Sequence, residues 1–126
     1  MKFSEMNYTR PDMNELKAAA EKTAMDIANA DSAEDAAEAY LGWDKTGGSY
    51  NTMYSLCYIR HTINTEDKFY SDENEFFDNS NPTFTEYGQS VAKALAESKF
   101  RPELEKKFGR VMFINTDIFL KSFQQL

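Results

Sequence analysis

Apolar side chains recur at intervals of three and four along most of this chain, the period of helical faces. Met13, Leu16, Ala20, Ala24 and Ile27 fall on one face and predict an amphipathic helix running to about Ala30. Asp12 and Glu15 form a D-x-x-E capping pair at its start. Before it, residues 1–10 lack the period, and Pro11 keeps Arg10 out of the helical region, so an extended lead-in is expected. Asp31 and Ser32 read as a turn, with Ser32 and Asp35 as the next capping pair. Ala36, Ala39, Tyr40 and Trp43 then resume the helical spacing, and its phase runs through Gly47 into Tyr50, Tyr54, Cys57 and His61. Adjacent glycines at 47 and 48 cost roughly 2 kcal/mol of helix propensity against two alanines, so a kink or short break between collinear halves is expected.

The stretch from Tyr50 to Ile63 is apolar on two sides. Tyr50, Met53, Tyr54, Cys57, Tyr58 and His61 make one stripe, and Leu56, Ile59 and Ile63 a second. A helix with two apolar faces belongs in the middle of a bundle. Tyr58 is accordingly expected in the core, where truncation to alanine would cost about 3 kcal/mol or more. Asn64 and Thr65 stop this helix and can cap the next, with Glu66 and Asp67 in its first turn. Phe69, Tyr70, Phe76 and Phe77 form an apolar side. Asn79-Ser80-Asn81-Pro82 reads as a turn or strong kink, most cheaply with Pro82 opening a new helix that carries Phe84, Tyr87, Val91, Ala94 and Leu95. Pro102 starts a short helix that Gly109 ends, and residues 111–126 form a last helix apolar on most of its circumference, which something should cover. The expected fold is all-α: a single domain over residues 1–126, with five or six helices bundled around the central two-faced one.

Charge narrows the partners. A net charge of −7 opposes non-specific binding to nucleic acid or anionic membrane, which require a positive field. One cysteine excludes an intrachain disulfide, and with no secretory leader in the first residues a cytoplasmic setting is expected. No apolar run reaches the roughly 18 residues of a membrane span. Acidic residues concentrate over 64–79 and basic ones over 99–110, so these segments either form separate solvated faces or meet in the fold.

Candidate chemistry is sparse. The single histidine, His61, and the absence of H-E-x-x-H exclude a self-contained zinc hydrolase site. Cys57 and His61 share a helical face, but two ligands do not make a metal site, and no catalytic residue is assigned. The row of Tyr54, Tyr58 and His61 could line a groove, with core packing as the competing reading.

One run is more specific. Tyr58-Ile59-Arg60-His61-Thr62-Ile63-Asn64-Thr65-Glu66-Asp67-Lys68-Phe69-Tyr70, followed by Glu73-Asn74-Glu75-Phe76-Phe77-Asp78, resembles the N-terminal region of oligoendopeptidase F-like zinc metallopeptidases, relatives of the thimet oligopeptidases. The opening Met1 to Met6, with Tyr8 and Arg10-Pro11-Asp12, is similar to the start of the same proteins, and the likeness runs to about Phe123. It implies a largely helical, non-catalytic N-terminal lobe that shapes the substrate channel of an enzyme cleaving short peptides. Tyr54, Tyr58 and His61 are then candidate channel-lining residues. Zinc is expected only in a catalytic domain that this chain lacks, since no position here matches the metal motif. The implied partners are the catalytic lobe of the same polypeptide and short peptides, with a homodimer through bare apolar surface as a further expectation for the isolated chain. A stand-alone helical interaction module without enzymatic activity is the alternative.

Overall fold

A computed structural model describes residues 5–124, with side chains described to Ser122. Five helices make up its regular structure: α1 (Met13–Ala28), α2 (Ala33–Ile63), α3 (Lys68–Ala96), α4 (Arg101–Phe108) and α5 (Arg110–Gln124). α1, α2 and α3 pack on one another, α5 lies on α3 and α4, and α4 also touches α2. One hydrophobic cluster joins all five, from Leu16, Ala20 and Ile27 of α1 to Leu104 of α4 and Phe113 of α5. The small residues of α1 let its neighbours approach closely.

Local signals set most helix ends. The Asp12 carboxylate accepts from the amides of Asn14 and Glu15 at 2.9 and 3.2 Å, and Ser32 Oγ accepts from the Asp35 amide at 3.1 Å. Each satisfies amides that the first turn leaves without helical partners. Pro102 sits in the first turn of α4, and Gly109 ends that helix at φ 97°, a conformation that favours glycine.

Between α2 and α3 the expected cap moves by a few residues. Asn64 ends α2, and its side chain accepts from the Glu66 amide at 3.2 Å while its carbonyl accepts from the Asp67 amide. That tight turn leaves Asp67 as the cap of α3, accepting from the Phe69 amide at 2.9 Å.

Two expected breaks are absent. α2 runs unbroken through Gly47 and Gly48, and α3 runs unbroken through Pro82. The reason is tertiary in both cases. Gly47 is buried where a Cβ would lie 3.4 Å from the Phe84 ring, and Trp43 and Tyr50 on either side of it stack on that same ring. Pro82 removes one helical hydrogen bond, a defect that in isolation costs about 3 kcal/mol. Phe77 before it and Phe84 after it both pack on α2, which clamps the two halves of α3 in line.

The two-faced reading of α2 holds in the middle and fails towards its end. Tyr50, Leu56 and Cys57 are buried, and Met53 and Tyr54 are half-buried. Tyr58 is 59% exposed and Ile63 80% exposed, so Tyr58 is not a core residue. The neighbours of α2 cover only one side of its last turns. α5 is likewise covered on one face: Phe113 is buried, while Val111, Ile114 and Ile118 are exposed. No described ion pair joins the acidic run to the basic one. Glu73 goes to Arg10 and Asp72 to Lys68, while Arg101 pairs with Glu105 and Asp117.

Phe77, fully buried against rings from the lead-in and α2, should lose about 3–5 kcal/mol of stability on Phe77→Ala. Tyr58→Ala should cost under about 1 kcal/mol. Urea unfolding of the two variants measures both, and a Tyr58 loss as large as that at Phe77 would return Tyr58 to the core.

Candidate functional site

The most polar buried residue of α3 organises the region where lead-in, α2 and α3 meet. Glu73 is one turn from Phe69 and one from Phe77 on the apolar side of its helix, yet it is a carboxylate and only 5% exposed. It is satisfied from the lead-in. Tyr8 donates its hydroxyl to Oε1 at 2.7 Å, Arg10 Nε donates to both oxygens at 3.0 and 3.1 Å, and Arg10 Nη2 donates to Oε2. The Arg10 guanidinium also covers the face of Phe76 at 4.6 Å. Arg10 and then Tyr8 hold the Glu73 carboxyl below the usual carboxylate range against its burial. Burial, followed by the bond to Glu73, pushes the Tyr8 hydroxyl well up. Nearby, Arg60 donates to the Tyr70 hydroxyl at 2.7 Å and to the Met6 carbonyl at 2.5 Å, a second anchor for the lead-in.

The tyrosine row does not act as a unit. Tyr54 stacks on Phe77 at 4.8 Å between ring centres, and its hydroxyl donates to Asp78 at 3.1 Å. Burial, then that bond, raises its pKa. Tyr58 projects outward, and His61 is half-buried with Nδ1 enclosed and without a partner among the described residues. Cys57 is buried away from metal chemistry. Its thiol points at the Tyr70 carbonyl at 3.6 Å, and burial, with Glu73 and Asp78 nearby, pushes its pKa up to about 11. A thiol held protonated is a poor metal ligand. Among the described residues no group of three or more His, Cys, Asp or Glu side chains is placed to hold a metal ion. Nor is any helix among them long and apolar enough to cross a membrane.

Sequence reasoning missed the Tyr8–Arg10–Glu73 cluster. A signal existed: Glu73 interrupts an apolar stripe at helical spacing, and such a carboxylate needs a cation. Its cation lies in the lead-in, 63 residues earlier in the chain.

A cleft of about 730 Å³ lies beside this cluster, between the lead-in, the start of α1 and the middle of α2. Leu16, Tyr50 and Met53 line it together with Lys45, Thr46, Gly48, Ser49 and Thr52. The lead-in lines it with Asn7, Thr9, Arg10 and Pro11, and Arg10 also reaches Glu73.

These features define a helical domain whose lead-in is strapped across it. Over residues 3–123 the chain matches the family described as the Peptidase M3 N-terminal domain, and it belongs to that family. Solved structures agree. One titled PZ peptidase A with an inhibitor shares 37% identity at a TM-score of 0.88, over 92% of this chain and 21% of its own. An oligoendopeptidase F shares 38% identity at 0.89, over 93% and 21%. Another, from Bacillus anthracis str. Ames, shares 34% at 0.89, over 93% and 22%. This chain therefore spans about a fifth of the length of these relatives. A search of curated proteins gave no match.

Glu73→Gln should destabilise the domain by about 2 kcal/mol at neutral pH, the worth of charge-assisted bonds to a half-exposed arginine. Because folding lowers this carboxyl's pKa, its contribution is present above the ordinary value of 4.5 and is lost as pH falls through the lowered one. Urea midpoints of parent and variant should thus converge in acid, and a constant gap would remove Glu73 from that role.

Proposed function

We propose that this domain is the non-catalytic N-terminal lobe of a zinc-dependent oligopeptidase that cleaves short peptides in the cytoplasm. The observation that carries the reading is the family match over residues 3–123, in a chain with a single histidine and no metal-holding group among its described residues. The solved relatives, named as peptidases, carry about four-fifths of their length outside the matched region. In this reading zinc and the reacting groups belong to that remainder, and the helical wall narrows the channel so that only unstructured peptides enter. Exposed Tyr58, with half-buried Tyr54 and His61 on the same helix, supplies channel-lining positions. The exposed Val111, Ile114 and Ile118 face of α5 docks against the remainder of the polypeptide. In the isolated chain the same face favours self-association.

The test is a fluorogenic oligopeptide assay on the purified chain with and without zinc, beside the whole product of the same reading frame. Hydrolysis by the longer protein alone is expected. In that protein Tyr58→Ala should raise KM roughly fivefold, the equivalent of about 1 kcal/mol of aromatic contact. Zinc-dependent hydrolysis by these 126 residues, or none by either protein, would overturn the reading.

A further inference from the structure

The lead-in crosses from one helix to another and is fastened at few points. Arg60 of α2 holds the Met6 carbonyl at 2.5 Å, and the Asp12 cap of α1 holds the other end. Between those ends Tyr8 and Arg10 both turn to α3, and the hydrogen bonds of their side chains end on the two oxygens of Glu73. The Tyr8 ring adds edge contacts with Phe69, Tyr70 and Phe77 at 5.9, 5.7 and 6.4 Å. The Thr9 amide reaches the Met53 thioether at 3.4 Å, and sulfur is a weak acceptor. A short segment pinned at both ends and latched at one carboxylate can open locally, because the loss of one charge loosens the Tyr8 and Arg10 fastenings together.

Cys57 lies behind this segment. It is fully buried, its thiol points at the Tyr70 carbonyl at 3.6 Å, and Tyr8 meets the Tyr70 ring edge-on. Arg60, about one turn further along α2, donates to both the Tyr70 hydroxyl and the Met6 carbonyl, so Cys57 sits in the seam between α2 and α3 that the lead-in spans. As the one cysteine of the chain, it reports on that seam without interference from another thiol.

We propose that residues 7–11 form a flap, pinned at Met6 and Asp12 and latched by Glu73, that lifts as a unit when this carboxylate loses its charge and bares Cys57 while the helices stay folded. The groups facing Glu73 are Arg10 and Tyr8 of the lead-in and Cys57 of α2, and Asp72 of α3 acts on Arg10. The Arg10 side chain is half-exposed, so solvent reaches the latch. Because Arg10 and then Tyr8 lower the pKa of this carboxyl, the flap is closed above the ordinary value of 4.5 and lifts as pH falls through the lowered one. The device requires no hydrolysis and is independent of the peptidase reading.

The test is the rate at which Cys57 attacks dithiodipyridine, releasing one thiopyridone, divided at each pH by the rate of a free-cysteine peptide and followed beside helicity by circular dichroism. At neutral pH Glu73→Gln should label roughly thirtyfold faster than the parent, with helicity unchanged. Urea well below the unfolding midpoint should leave both rates nearly constant, since local opening exposes little surface. In acid the parent should rise towards the variant, while the variant, which keeps Asp72, stays flat. Equal rates in parent and variant, a parent that already labels like the free peptide, labelling that climbs with urea as steeply as global unfolding, or acid acceleration that persists in Glu73→Gln would each overturn the proposal. Should Glu73→Gln fail to fold, the parent's pH course decides: acceleration in acid with helicity intact supports the flap, and a flat course or one that tracks loss of helicity overturns it.

Discussion

The stacking of α3 on α2 through aromatic rings is the constraint on which the rest of this domain depends. Tyr50 lies flat on Phe84 at 4.0 Å between centres and Tyr54 lies flat on Phe77 at 4.8 Å, so two tyrosines of α2 meet two phenylalanines of α3. Trp43 continues the stack on Phe84, and Tyr8 of the lead-in meets Phe77 edge-on. Offset and edge contacts each add about 0.5–1.5 kcal/mol beyond the area they bury. They also fix the register of two long helices, which explains how one tolerates paired glycines and the other an internal proline. A defect in backbone hydrogen bonding breaks a helix only when nothing outside holds its halves in line.

Upon that column rests a polar device. Glu73 occupies a position that the helical period reserves for an apolar side chain, and the lead-in supplies the compensating hydroxyl and guanidinium. The same contacts turn an otherwise irregular segment into a fixed strap and give the neighbouring cleft a rigid wall. Glu73 therefore links stability to shape, since it holds the strap together with the Arg60 anchor on Met6.

Membership of the Peptidase M3 N-terminal domain family gives this arrangement a setting. Its apolar exposure lies on the last turns of α2 and along α5.

Sequence alone determined the all-helical class, the ends of α1 and α4, the cap that opens α2 and the family likeness. Those features are local, since Asp12, Ser32, Pro102 and Gly109 act within a turn of their own positions, and the apolar period needs no partner to be read. Tertiary structure decided the rest. Tyr50 and Tyr58 look alike on the same stripe, but only the first finds α3 against it. Gly47-Gly48 and Pro82 read as breaks because propensity counts a helix in isolation. Glu73, Arg10 and the cleft were hidden because their partners are brought together only when the lead-in folds across α3, and no local pattern encodes a contact over that span of chain.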